Sequence, residues 1–243
     1  MKFRILAFIT YVISMAVGAL IMALCWFEDG NVWMLVGMGI AFVVSFYIFA
    51  ALHELGHMLF GAMSKVHAKP VKLFTFYAPC SCEIVPKTDR GLKGRLIVTT
   101  LGGIVFNLIF AAFGIVALTV PAVPTYLAMT IPASLYLLAV NALPLTNESG
   151  KTDGLVIAEL IRGDDEAKVA LAVLAVQAQV LGGKPIEEVD KNLLFDLPQI
   201  AEDEPAFISL TELRASYFKA IGDSENAEKY SARFEQLKAD YIS

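Results

Sequence analysis

The sequence predicts an all-α membrane protein: about four transmembrane helices, a small β-hairpin in the loop between the second and third, and an α-helical tail expected on the cytoplasmic side. Three observations predict it. The 243 residues are 57% hydrophobic with a mean hydropathy of +0.63, above the range of ordinary soluble domains. The apolar residues gather in runs long enough to cross a bilayer, which takes about 20 residues. Charge is split along the chain. Residues 1–146 hold nine Lys/Arg against five Asp/Glu (+4), whereas residues 147–243 hold ten against nineteen (−9). A membrane domain over residues 1–163 followed by a helical domain over 164–243 accounts for that break.

The first run, Ile5 to Phe27, follows Lys2 and Arg4. It is too long for a signal peptide and lacks a small-x-small cleavage site, so it reads as a retained anchor. Glu28-Asp29-Gly30-Asn31 makes a polar turn. The second run extends from Val32 to about Met63, the third covers Leu96 to Val120, and the fourth runs from Pro124 to Pro144. Between the second and third, seven basic residues from Lys65 to Arg95 face only Glu83 and Asp89. With Lys2 and Arg4 they place the N-terminus and this loop in the cytoplasm by the positive-inside rule, and four spans return the tail to the same side. The expected location is a plasma membrane of bacterial type.

Within the loop, alternation at Val71, Leu73, Thr75 and Tyr77 around Pro79 suggests a hairpin over Val71 to Val85. In the tail, Ala167 to Val180, Phe207 to Ile221 and Asn226 to Tyr241 read as helices, the last two flanking a Gly222-Asp223 turn. That pair resembles a single tetratricopeptide-type helical hairpin. The acidic tail excludes a nucleic-acid binder, which needs a basic footprint. Cys25, Cys80 and Cys82 are too few for a disulfide framework, and no second pair completes a Cys-x-Cys metal site.

Two of the three histidines fall in His53-Glu54-Leu55-Gly56-His57, inside the second run. On a helix, positions i and i+4 share a face, so both imidazoles can reach one zinc ion, with Glu54 placed as the general base of peptide hydrolysis. Three ionisable residues in a membrane span cost several kcal/mol unless paired, coordinating or hydrated, and by default they mark function. Gly56 leaves room beside them. A third protein ligand is needed. His67 lies in the basic loop and reads as exposed; Asp153, after the fourth span, is the better candidate and Glu148 competes with it. The competing reading of Asp153 is the N-cap of a helix beginning at Gly154, a role that need not exclude ligation. In the third span Thr99, Gly103 and Asn107 share one helical face that should look inward, with Asn107 either holding a substrate backbone or acting as helix–helix glue.

Together, His53-Glu54-Leu55-Gly56-His57, then Gly102-Gly103-Ile-Val-Phe-Asn107, then Asn141-x-x-Pro144 with Asp153-Gly154, resemble the site-2 protease family of intramembrane zinc metalloproteases, over roughly residues 32–160. The resemblance implies that His53, His57 and Asp153 bind Zn2+ with Glu54 as catalytic base. It implies that the regions of Asn107, Gly103 and Asn141 position substrate, and that the hairpin offers an edge strand for β-addition. The expected partners are the lipid bilayer and a membrane protein or peptide substrate. The tail offers a place for a regulatory protein or for self-association. The alternative is a catalytically silent zinc-binding scaffold or peptide carrier, which has no need of Glu54.

Overall fold

The computed structural model describes residues 2–72, 81–147 and 150–242. Helix α1 (Lys2–Asp29) is followed by α2 (Val32–Met63). The turn between them follows from its residues. Gly30 takes φ +62°, a left-handed conformation that glycine adopts at little cost, and its N–H donates to the Trp26 carbonyl at 2.8 Å. Asn31 then caps α2, its side-chain oxygen accepting the Trp33 N–H at 2.9 Å.

Strands β1 (Val66–Lys72) and β2 (Ser81–Pro86) pair in a two-stranded sheet. The hairpin expected over Val71 to Val85 thus begins earlier, at Val66; residues 73–80, Cys80 among them, lie outside the described residues. Burial alternates along β1 as a half-buried strand requires: Val66 and Ala68 are buried, His67 and Lys69 exposed. Helix α3 (Leu92–Thr119) starts four residues before the apolar run, taking in Lys93 and Arg95. A 3-10 turn over Thr125–Met129 leads into α4 (Thr130–Ala142), where Pro132 sits in the first turn and removes no intrahelical bond. Strands β3 (Thr146–Asn147) and β4 (Gly150–Lys151) form a minimal antiparallel pair, Thr146 opposite Lys151. Helices α5 (Asp153–Arg162), α6 (Asp165–Leu181), the short α7 (Asn192–Phe195), α8 (Pro205–Ala220) and α9 (Ser224–Ile242) complete the chain.

Among the described residues, four helical segments are long and apolar enough to cross a membrane: Phe3–Phe27, Val32–Met63, Leu92–Thr119 and Thr125–Ala142. The protein is mostly helical and of membrane type. By compactness the chain divides into two units that are not contiguous in sequence. One comprises Met1–Met63, Ala68–Glu83 and Val98–Ile157; the other comprises Ser64–His67, Ile84–Ile97 and Ala158–Ser243.

In the first unit α1 packs on α4 and α2, and α2 packs on α4. Ile21, Cys25, Met38, Ala117, Met129 and Ile131 are buried together, so Cys25 is a packing residue. Polar side chains close on backbone: Ser45 Oγ donates to the Phe42 carbonyl at 2.7 Å, and Thr130 Oγ1 to the Phe110 carbonyl at 3.0 Å. Outward faces keep large apolar side chains such as Phe8, Leu20, Val43 and Leu108 exposed, as a lipid-facing surface does. In the second unit, α6 contributes Val169, Val173 and Val176 to a core shared with Leu194, Leu210 and Tyr217. The three tail helices expected from the sequence are present, at α6, α8 and α9.

Candidate metal centre

The motif begins about 15 Å from the C-terminal end of α2, taking ten residues at a rise of 1.5 Å each. Burial in α2 concentrates there: Ala51, His53, Glu54, Gly56, His57 and Gly61 are buried, while Leu55 and Leu59, on the other face, are exposed. The 3.6-residue repeat does this, setting His53, Gly56 and His57 on one inward stripe.

Gly56 lets α3 come close. A Cβ on Gly56 would collide with the Gly102 carbonyl, and one on Gly102 with the Gly56 carbonyl, so the two backbones touch. This crossing brings the Thr99–Gly103–Asn107 stripe of α3 against the imidazoles. His57 Nδ1 lies 3.0 Å from the Thr99 carbonyl, which accepts an N–H from it. Asn107, fully buried, places its side-chain Nδ2 at 2.9 Å from His53 Nδ1, and its Oδ1 is left without a hydrogen-bond partner. Gly103 lies between them. A Cβ there would stand 2.5 Å from His53 Cε1, 2.6 Å from His53 Nε2 and 2.7 Å from His57 Nε2.

The acid arrives from the other side. Thr152, and not Asp153, caps α5: its hydroxyl oxygen accepts the Leu155 N–H at 3.3 Å and the Leu145 N–H at 3.1 Å, and it donates to the Leu143 carbonyl at 2.6 Å. Asp153 therefore occupies the first helical position with its carboxylate free of capping. Gly154 lets this turn close on the end of α4, since a Cβ there would strike the Ala142 carbonyl. Asp153 Oδ2 lies 3.0 Å from His53 Nε2 and 3.4 Å from His57 Nε2, and the two Nε2 atoms are 3.1 Å apart.

His53, His57 and Asp153 thus form a group that could hold a metal ion, one ligand atom from each, all within 4.8 Å of one another. The chemistry of the set fits a cation. Buried Asp153 Oδ2 approaches both nitrogens yet receives no hydrogen bond of proper geometry, as when lone pairs rather than N–H groups face a common point.

Compared with known proteins, the sequence matches no family model and no curated protein, and the structure matches no solved one. The remaining site candidates are placed by the fold alone. Asn141 ends α4, half-buried, and its carboxamide makes no hydrogen bond among the described residues. Glu148 lies outside the described residues. Exposed His67 stands on β1 and is no member of the metal-ligating group. The Thr99 carbonyl and the Thr152 cap are contributions the sequence did not announce, because one is backbone and the other is indistinguishable from Asp153 as a capping residue.

Proposed function

We propose that this chain is a membrane-embedded zinc endopeptidase of the site-2 protease kind, hydrolysing peptide bonds of membrane-embedded or membrane-associated polypeptides near the cytoplasmic face. The observation that carries the reading is the convergence of His53 Nε2, His57 Nε2 and Asp153 Oδ2 beside a buried Glu54 within a candidate span. Their separations of 3.0, 3.1 and 3.4 Å support zinc as the ion. Tetrahedral ligands at bond lengths of about 2.0–2.1 Å stand about 3.3 Å apart.

Zinc, when bound, supplies Lewis-acid polarisation of the peptide carbonyl and acidifies the attacking water. The chain's own residues do the rest. Glu54 accepts the proton of that water on its carboxylate as the new C–O bond forms, then passes it to the amide nitrogen, which leaves as an amine when the C–N bond breaks. The scissile segment must be extended, since a helical backbone hides its carbonyls. The two-stranded β1–β2 sheet supports a way to hold it, by adding a third strand at an edge. Asn141, half-buried at the end of α4 and without a hydrogen bond among the described residues, is proposed as a substrate contact.

The test is cleavage of a panel of membrane-anchored polypeptides by the purified, reconstituted chain, comparing wild type with Glu54→Gln. Loss of a general base costs about 100- to 10,000-fold in rate, so the variant should be silent on the same time scale. Equal cleavage by both proteins would sink the mechanism. Zinc binding with no cleavage of any polypeptide by wild type would favour the scaffold reading instead.

A further inference from the structure

The α3 stripe divides its work in a way the proposed reaction does not require. His57 has its Nδ1–H taken by the Thr99 carbonyl, so its Nε2 lone pair is aimed at the ligand point. His53 needs the same treatment if its Nε2 is to be a ligand. Its Nδ1 meets only the Asn107 carboxamide, at 2.9 Å, eight residues along α3 from Thr99 and on the same face. A carboxamide fills nearly the same volume in either of two orientations. With Nδ2 toward Nδ1, His53 must carry its proton on Nε2, aimed among the ligand atoms, and the fully buried Oδ1 has no partner. With Oδ1 toward Nδ1, the orphaned acceptor is satisfied and the Nε2 lone pair is released. The exchange moves the amide nitrogen to the position the oxygen held.

We propose that Asn107 is a positioning residue for His53, its carboxamide oxygen accepting the Nδ1–H and fixing the ring and its tautomer. This rests on the metal-site reading and replaces a substrate contact at Asn107 with a role toward His53. Three observations carry it: the 2.9 Å contact, the complete burial of Asn107 and the unpartnered oxygen. Outer partners of metal-bound histidines are usually carboxylates, carbonyls or water, all acceptors. On α3, a backbone carbonyl serves one imidazole and a side-chain carbonyl serves the other. Gly103 between them keeps the intervening space free.

The test measures zinc affinity, not turnover. Full-length protein in detergent micelles is stripped of metal and titrated with Zn2+ against a chromophoric chelator, for wild type, Asn107→Leu and Asn107→Asp. Removing the acceptor in Asn107→Leu should weaken binding by about 10- to 100-fold. Asn107→Asp accepts the same N–H, so it should stay within a few-fold of wild type and keep the wild-type visible spectrum when loaded with Co2+. A merely structural asparagine would not be rescued in this way. An Asn107→Asp protein as weak as Asn107→Leu would mean that the amide donates to His53, and would overturn the proposal; so would an Asn107→Leu protein of wild-type affinity. If Asn107→Leu does not fold, Asn107→Asp still decides by retaining or losing affinity. Wild type that binds no Zn2+ refutes the metal reading itself, and the proposal with it; a loss confined to the variants bears on Asn107 alone.

Discussion

At the scale of single residues, the site depends on what is missing as much as on what is present. Gly103 faces both imidazoles, and a Cβ at that position would stand 2.6–2.7 Å from the two nitrogens that converge on the ligand point. Gly103→Ala should therefore lose bound metal. Asp153→Ala should lose it too by removing a ligand, whereas Glu148→Ala should keep it. Zinc content of the purified proteins checks all three; retention in Asp153→Ala with loss in Glu148→Ala would exchange the ligand assignment. The histidine pair was legible from the sequence because i, i+4 spacing on a helix fixes a shared face whatever the rest of the fold does. Asp153 was legible only as one of two acids, since the loop that carries it has no periodicity. Gly103 was readable as part of an inward stripe, but its contact with the rings depends on the Gly56–Gly102 crossing, a distance between helices that no spacing within one helix can give.

At the scale of elements, helix ends decide where charged groups go. Thr152 takes the cap of α5 and leaves Asp153 to the site; in the α8–α9 hairpin the carboxylate itself is the cap. Asp223 Oδ1 accepts the Asn226 N–H at 3.1 Å and Oδ2 accepts from the Asn226 side chain at 2.7 Å, after Gly222 has turned the chain with φ +79°. These hydrogen bonds to the ionised form lower the Asp223 carboxyl from its ordinary 3.8. A group whose folded value is depressed stabilises the fold above its unfolded value and loses that contribution as pH falls through the folded one. Protection of the Asn226 amide against hydrogen exchange, corrected for the intrinsic rate, should thus hold above about pH 4 and decline below it. Asp223→Ala should abolish the protection at every pH. Protection that persists in Asp223→Ala would show that the first turn of α9 is held by packing rather than by its cap. The Gly222-Asp223 turn announced this hairpin in the sequence, since both residues have strong local preferences. The β3–β4 pair went unannounced because two residues per strand carry no alternation to read.

At the scale of the whole molecule, the hydropathy runs gave the four apolar helices because a span needs length and composition and little else. The division into compact units was less legible: the unit built around the tail also takes in Ser64–His67 and Ile84–Ile97, which include the start of β1 and the end of β2, and such grouping is a tertiary fact with no local signature. The loop charges predict an orientation. Lys2 and Arg4 lie at the start of the first candidate span, and Lys65, Lys69, Lys72, Lys87 and Arg90 separate the second from the third, whose first turn adds Lys93 and Arg95, while the Glu28–Asn31 turn between the first and second holds no basic residue. Short loops rich in Lys and Arg stay on the cytoplasmic side, and acidic residues count for little in that choice. The chain with four crossings should therefore carry its N-terminus, the 64–91 loop and residue Ser243 on the cytoplasmic face, and the 28–31 turn and the 120–124 turn on the other. Single cysteines placed at Asn31, Thr88 and Ser243 in a chain whose own three cysteines are replaced by serine should label from outside intact cells with an impermeant maleimide at Asn31 alone. Labelling at Thr88 from outside would invert the orientation and move the proposed cleavage away from the cytoplasmic face. Labelling at Ser243 but not at Thr88 would instead mean an odd number of crossings, and would remove one of the two apolar helices between α2 and α5 from the list of spans.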